Sequence, residues 1–228
     1  MWKRRELKEK GKAAVKRNYW KSVLVSAVFA GIIGGAGFYG RSATNNSIDM
    51  SSLGTGLIIF FAVIGILAIA GMILMYELLV NPFEVGVNKF RLNALKDRGN
   101  VSDMGTGFDV SYKRNVKVLF FRDLYTVLWL MLFIIPGIVK MYEYRMIPYL
   151  LADNPDMSKQ EAFRTSKAMM KGNKWRAFVL DLSFILWGIL GVITLGIVNV
   201  FWVDPYKQLT DAALYNALKA EELEANLQ

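Results

Sequence analysis

Between Asp49 and Glu77 the chain runs for 27 residues without an aspartate, glutamate, lysine or arginine. A helix needs about 20 mainly apolar residues to cross roughly 30 Å of hydrocarbon, so this stretch alone exceeds a membrane span. Residues 22–40 and 182–203 form two more such stretches. Residues 124–139 form a shorter fourth that reaches spanning length only by borrowing neighbours such as 118–121. Core helices of soluble domains are usually shorter and amphipathic. The pattern therefore predicts an all-α, polytopic membrane bundle in one domain over residues 1–228. The first stretch follows a basic segment and ends in Gly-Ala-Gly-Phe-Tyr-Gly at residues 35–40, with no clear small-x-small cleavage site. It reads as a retained helix and not a signal peptide.

The charges give the orientation. The chain carries 28 basic and 19 acidic side chains, a formal net charge of +9. Residues 1–21 hold nine of the basic groups, residues 77–123 eight and residues 153–181 six, whereas residues 39–55 hold only Arg41. The positive-inside rule places the first three segments in the cytoplasm and the last outside. If both flanks of the shortest apolar stretch are inside, the chain between them enters the membrane and returns.

A threefold similarity supplies the return. Lys16-Arg17-Asn18-Tyr19-Trp20-Lys21, Lys113-Arg114-Asn115-Val116-Lys117 and Lys171-Gly172-Asn173-Lys174-Trp175-Arg176 each open an apolar stretch. Asn81-Pro82-Phe83, Ile147-Pro148-Tyr149 and Asp204-Pro205-Tyr206 each close one. Pro136-Gly137 and Thr194-Leu195-Gly196 supply turns within the second and third units. The reading is six transmembrane helices in three parallel helical hairpins, about 12–83, 112–149 and 167–206, with both termini inside. Cytoplasmic connectors cover 84–111 and 150–166, residues 41–55 form a polar outer loop, and a cytoplasmic helix closes the chain at 207–228. Legs of about 16 residues reach only about 24 Å, so a four-span chain with re-entrant segments after Pro136 and Gly196 is the alternative.

The connectors suggest amphipathic helices resting on the inner surface. Ser158 and Glu161 form a capping box opening a helix that ends at Gly172, with Ala162, Phe163, Met169 and Met170 on one face around Ser166. Residues 1–17 offer a second such helix through Trp2, Leu7, Ala14 and Val15. Trp20, Lys21, Trp175 and Arg176 stand where interfacial anchors belong. These basic surfaces imply anionic inner-leaflet lipid as a partner. Nothing resembles a nucleic-acid recognition element on an independent soluble fold.

A few charges recur at matched depth in the apolar zone. Glu77 and Glu143 stand five residues before their exit prolines, and Asp123 and Asp181 eight after their approach asparagines, with Arg122 and Arg145 nearby. Ionised groups inside a bilayer are costly and normally pair inside the bundle. These six residues are expected to form one buried polar cluster, as structural staples or as a substrate or ion site. Lys140, three residues from Gly137, is expected to snorkel to the outer interface. Pro82, Pro148 and Pro205 leave the carbonyls of Leu78, Tyr144 and Phe201 without helical partners, so three kinks either frame a cavity or bend the return helices onto the surface. The glycines of residues 31–35 suit close helix packing.

Several quoted segments carry a family resemblance: Met170-Lys171-Gly172-Asn173-Lys174-Trp175-Arg176, Ile135-Pro136-Gly137-Ile138-Val139-Lys140, Pro148-Tyr149-Leu150-Leu151-Ala152-Asp153-Asn154-Pro155 and Asn81-Pro82-Phe83-Glu84-Val85-Gly86. Together they resemble a family of bacterial integral membrane proteins catalogued as a domain of unknown function, common in Gram-positive bacteria. The chain also looks distantly like the membrane domain of some glycerophosphodiester phosphodiesterases, from which no catalytic residue carries over. The resemblance implies a bacterial plasma-membrane protein and no established reaction.

With no cysteine or histidine, thiolate and imidazole metal sites and Ser-His or Cys-His nucleophile pairs are excluded. No P-loop or Gly-x-Ser-x-Gly is present. No cofactor, metal or catalytic residue is expected, and the leading expectation is a non-enzymatic scaffold, or a regulatory or lipid-interacting protein, with a membrane-protein partner or a second copy of itself. A small transporter using the buried cluster is the alternative. An intramembrane lipid-acting enzyme ranks below both.

Overall fold

The computed structural model describes residues 1–42, 55–109, 111–194 and 196–226. The interior of the outer loop expected at 41–55, Leu195 of the third turn, the last two residues of the helix expected at 207–228, and the side chains of the glycine-rich segment beyond Gly31 lie outside that description. Among the described residues no strand occurs. In chain order the α-helices are α1 (Arg4–Arg17), α2 (Tyr19–Ser42), α3 (Thr55–Met75), α4 (Asn81–Leu95), α5 (Tyr112–Leu132), α6 (Ile134–Tyr144), α7 (Ile147–Asp153), α8 (Lys159–Met170), α9 (Lys174–Leu182), α10 (Ile185–Ile193) and α11 (Asp204–Asn226). A 3-10 helix, Val101–Phe108, lies between α4 and α5. Ser158 caps α8 by accepting from the Glu161 N–H at 3.3 Å. Two residues beyond the end of α8, Gly172 takes a positive φ of 78°, a conformation that suits glycine.

The exit prolines act through the backbone. A proline cannot donate to the carbonyl four residues back, and in two of three places the helix absorbs this as a π-turn, at Tyr76–Val80 and at Asn199–Val203. The Asn81 N–H bonds the Tyr76 carbonyl and the Asp204 N–H the Asn199 carbonyl, five residues back in each case. The Leu78 carbonyl, which Pro82 leaves free, accepts the Tyr112 hydroxyl at 3.0 Å. At Pro148 the chain instead breaks: α6 stops at Tyr144, and α7 starts with the proline in its first turn.

The packed core sits where the sequence suggested surface connectors. Leu7, Ala14 and Val15 of α1, Val87 and Phe90 of α4, Leu150 and Leu151 of α7, Ala162 and Met170 of α8 and Leu209, Leu214 and Leu218 of α11 are all buried in one cluster. The two expected interfacial helices therefore need correcting: α1 lies against α11, and α8 against α6, α7 and α11. Their amphipathic periodicity is satisfied by protein, because α11 and α7 present complementary apolar faces. Phe163 is only partly buried at the edge of this core, where it meets Tyr125 and Tyr144 edge-on at 5.6 and 5.0 Å.

The apolar segments lie at the outside. Leu57–Leu95 is the one helix among the described residues long and apolar enough to cross a membrane. The end of α5, the start of α6 and much of α10 also expose large apolar side chains, Met131, Ile135 and Leu186 each by more than three quarters.

The connector body is tied together at Asp153, which accepts from the Tyr215 hydroxyl at 2.9 Å and pairs with Lys219. Burial pushes this carboxyl up, but the bonds from Lys219 and Tyr215 outweigh it and hold Asp153 below its ordinary range. A carboxylate depressed in the folded state stabilises above its unfolded pKa of about 3.9 and loses that contribution as pH falls through the folded value. Asp153→Asn is therefore expected to melt below wild type at pH 7, with the gap closing below about pH 3. A gap independent of pH contradicts the pairing.

Candidate functional site

The six charges expected to converge divide among three networks. In the first, the Arg122 guanidinium donates to Glu84 Oε2 at 2.9 Å and to Asp123 Oδ1 at 2.7 Å. The fully buried Asn81 sits one residue before its proline and donates both to Glu77 Oε2 at 2.6 Å and to Asp123 Oδ2 at 2.8 Å. In the second, Arg145 grips Asp181 through two parallel bonds of 2.7 and 2.9 Å and also donates to Asp211 at 2.9 Å. Tyr142 donates to Asp181 at 2.8 Å, and Lys207 bridges Asp181 and Asp211 at 3.0 and 2.8 Å. In the third, the almost wholly buried Glu143 meets Lys140 at 2.9 Å, Lys174 at 3.4 Å and Lys167 at 3.7 Å.

Lys140 thus turns toward Glu143, one helical turn on, and not out to a far interface. The reason is local: the buried carboxylate at i+3 on the same helix face is within 2.9 Å, the shortest of its three lysine contacts.

Between the first two networks lies a concavity of about 390 Å³ bounded by Tyr76, Glu84, Arg122, Asp123, Tyr144 and Arg145. Of the exit prolines, only Pro148 lines it. Pro82 and Pro205 follow π-turns instead, so the three do not frame one cavity. Both arginines are already engaged by carboxylates, and charge-assisted bidentate bonds of this kind hold helices in fixed register. Fully ionised, the first network sets three carboxylates against one cation, the second balances two with two, and the third sets one carboxylate against three lysines. Among the described residues no group of three acidic side chains has the arrangement of a metal site.

Glu84, Asn81, Tyr142, Lys167, Lys174, Lys207 and Asp211 are participants that the matched charges did not reveal, Asn81 because it is uncharged although it opens an exit motif, the others because they lie outside the matched positions. Lys207 and Asp211 had a legible signal, four apart on one helix face. A further matched position also emerges. Ser26 stands eight residues after Asn18, as Asp123 and Asp181 do after Asn115 and Asn173. Its hydroxyl donates to Gln208 of α11 at 2.8 Å. Each of these three positions bonds a return segment, Ser26 that of Pro205, Asp123 that of Pro82 and Asp181 that of Pro148, and Asp181 also meets Lys207 beside Pro205.

The expected anchors remain outward. Trp20 and Trp175 are about three-quarters exposed, and Lys21 donates to the Gly99 carbonyl at 3.0 Å. Arg176 is tied inward, donating to Asn173 Oδ1 at 3.1 Å and to the Trp2 carbonyl, with its guanidinium 4.1 Å from the Trp2 ring centre.

A family model described as a protein of unknown function, DUF975, matches residues 107–222, which include the whole of α5 and run through to most of α11. No curated protein and no solved structure matches the chain. The more distant likeness to the membrane domain of glycerophosphodiester phosphodiesterases is not shown by any of these matches.

Proposed function

Because the chain belongs to the DUF975 family of proteins of unknown function, its role has to follow from its own architecture, and we propose a non-enzymatic, multi-pass scaffold of the bacterial plasma membrane. It crosses in three parallel hairpins with both termini inside, and its basic inner face engages anionic lipid. The repeat is supported by the matched exits, two of them π-turns, and by the three positions at approach asparagine plus eight. Each of those reaches the return segment of the preceding unit, and Ser26 to Gln208 closes the sequence into a ring. Membrane insertion is supported by the exposed apolar faces of α3, α6 and α10, which water would solvate poorly.

The carrying observation is how the cations are distributed. Those nearest the apolar zone, Arg122, Arg145, Lys207 and Lys140, are each matched by carboxylates. Among the described residues, cations without a carboxylate partner, including Arg4, Lys8, Lys10, Lys12 and Lys16 of α1, Lys113 and Lys117 at the start of α5, Lys159 and Arg164 of α8 and Arg176 of α9, make up the remaining basic surface. Such a surface attracts anionic lipid by about 1 kcal/mol per basic residue close to the membrane. Full-length protein in mixed nanodiscs is expected to retain phosphatidylglycerol over phosphatidylcholine by at least about tenfold in native mass spectrometry. Equal retention contradicts the proposal.

One observation favours the transporter reading: the first network holds three carboxylates for one arginine, and Glu77 is bonded only through Asn81 among the described residues. Under the scaffold reading, Glu77→Gln removes surplus negative charge and is expected to leave stability unchanged or raised by up to about 1 kcal/mol. Glu143→Gln, which orphans three lysines, is expected to lower it. A proton or cation flux in proteoliposomes that Glu77→Gln abolishes would establish the transporter instead.

A further inference from the structure

A bay of about 700 Å³ opens between the start of α1 and α9, lined by Lys3, Arg4, Arg5 and Lys8 from one and Arg176, Val179 and Ser183 from the other, with Trp2 and Trp175 beside it. No carboxylate lines it. Lys3 and Arg5 pair with Glu6 and Glu9 at 3.9 and 3.4 Å, outside the bay. Among the described residues Arg4, Lys8 and Arg176 pair with no carboxylate. Arg4 and Lys8 stand four apart on one helix face, where like charges repel. Burial and the charge of Arg4 accordingly push the Lys8 ammonium below its ordinary range.

The walls are held in advance. Arg176 is fixed by Asn173 and the Trp2 carbonyl, Trp2 donates through its indole N–H to Asn173 at 3.1 Å, and Lys8 donates to the Ser183 carbonyl at 3.3 Å. Arg176 still has guanidinium N–H groups to spare, in the fork geometry that matches phosphate oxygens. Arg176, Val179 and Ser183 rise along one face of α9 at helical spacing, and just beyond them Leu182, Ile185 and Leu186 are exposed and apolar. The bay thus presents cations at one end, an interfacial tryptophan at 72% exposure beside them and a greasy track leading away, the order in which headgroup, interface and acyl chain succeed one another.

From this we propose that the bay holds the phosphate of an anionic phospholipid headgroup, with an acyl chain along α10. Three unpaired cations exceed what one singly charged phosphodiester neutralises. The preferred headgroup therefore carries more than one negative charge, as a terminal phosphate monoester does. This rests on the inner-face lipid reading above and assigns it a place.

The test uses full-length protein in phosphatidylcholine nanodiscs doped with either phosphatidic acid or phosphatidylglycerol, with retention read by native mass spectrometry. Wild type is expected to prefer phosphatidic acid over phosphatidylglycerol. The double variant Arg4→Gln with Lys8→Gln removes two cations that no carboxylate neutralises, and is expected to lower phosphatidic acid retention about thirty-fold. Lys10→Gln with Lys12→Gln, on the same helix but outside the bay, removes only general attraction, so it is expected to cost clearly less phosphatidic acid retention than the bay variant and to lower phosphatidic acid and phosphatidylglycerol alike, and circular dichroism checks that both variants stay folded. Equal losses in the two variants overturn the bay while leaving general attraction to anionic lipid standing. No anionic preference in wild type overturns both. Displacement of the lipid by millimolar inorganic phosphate or glycerol 3-phosphate assigns the bay to a soluble phosphate and overturns the lipid proposal.

Discussion

Replacing Arg145 with alanine is expected to cost about 3–5 kcal/mol of stability, among the largest losses any single side chain here can produce. Arg145, one residue past the end of α6, ties that helix to α9 and α11: it grips Asp181 through both oxygens and reaches Asp211 with the same nitrogen that meets Asp181 Oδ1. Its removal leaves two carboxylates, Asp181 26% and Asp211 16% exposed, with Lys207 alone to offset their charge. A buried ion pair contributes little over an apolar replacement, but breaking one leaves an uncompensated charge. Arg145→Lys keeps the charge without the planar fork and is expected to fall between. Arg145→Met combined with Asp181→Asn removes one charge of each sign and leaves Lys207 with Asp211, so it is expected to recover much of the loss. Denaturant unfolding of the three variants in detergent checks this. A double variant no better than Arg145→Ala contradicts the network.

Gly107→Ala is expected to be as damaging by a wholly different route. The 3-10 helix Val101–Phe108 lies directly against α4, and at Gly107 a Cβ would fall on the Pro82 carbonyl, with the Gly86 N–H only 3.2 Å away. Gly86 faces the Met104 backbone in the same way, so a Cβ there would stand 3.0 Å from the Met104 Cα and closer still to its carbonyl. Overpacking usually costs about 1–3 kcal/mol because side chains yield. Here the obstacle is backbone, and moving it would disturb the π-turn before Pro82 and the Asn115 amide, which donates to the Gly107 carbonyl at 3.1 Å. The expected result is loss of at least about 3 kcal/mol, or failure to accumulate folded protein. Gly105→Ala, two residues away, meets nothing within 4 Å and is expected to be neutral within about 0.5 kcal/mol. Similar melting temperatures for the two variants contradict the close approach.

What the sequence made legible follows from where information is local. Charge-free runs mark apolar helices because one charge at the wrong depth is costly, and Pro82, Pro148 and Pro205 mark backbone breaks because a missing N–H is a property of the residue itself. That the breaks before Pro82 and Pro205 become π-turns and the one before Pro148 separates two helices is not written in the prolines themselves, and the partner of an orphaned carbonyl can be remote. For Leu78 it is the Tyr112 hydroxyl, 34 residues away. The division of six matched charges into three networks was likewise hidden, because matched depth says nothing about azimuth around a bundle. The helices α1 and α8 show the same gap: an amphipathic face demands an apolar surface, and Leu7 or Met170 cannot announce whether that surface is lipid or α11.

The proposed three hairpins, carrying a basic body on one side of the membrane, are directly testable because the sequence contains no cysteine. Single cysteines placed in turn at Ser47, Phe133 and Thr194, and at Lys12, Ser102, Lys159 and Glu224, can be labelled with a membrane-impermeant maleimide in intact cells and again after lysis. The predicted result is labelling of the first three in intact cells and of the last four only after lysis. Protection of Phe133 and Thr194 in intact cells, with Ser47 still labelled, would place the second and third returns within the membrane or on the inner side and contradict the three-hairpin architecture.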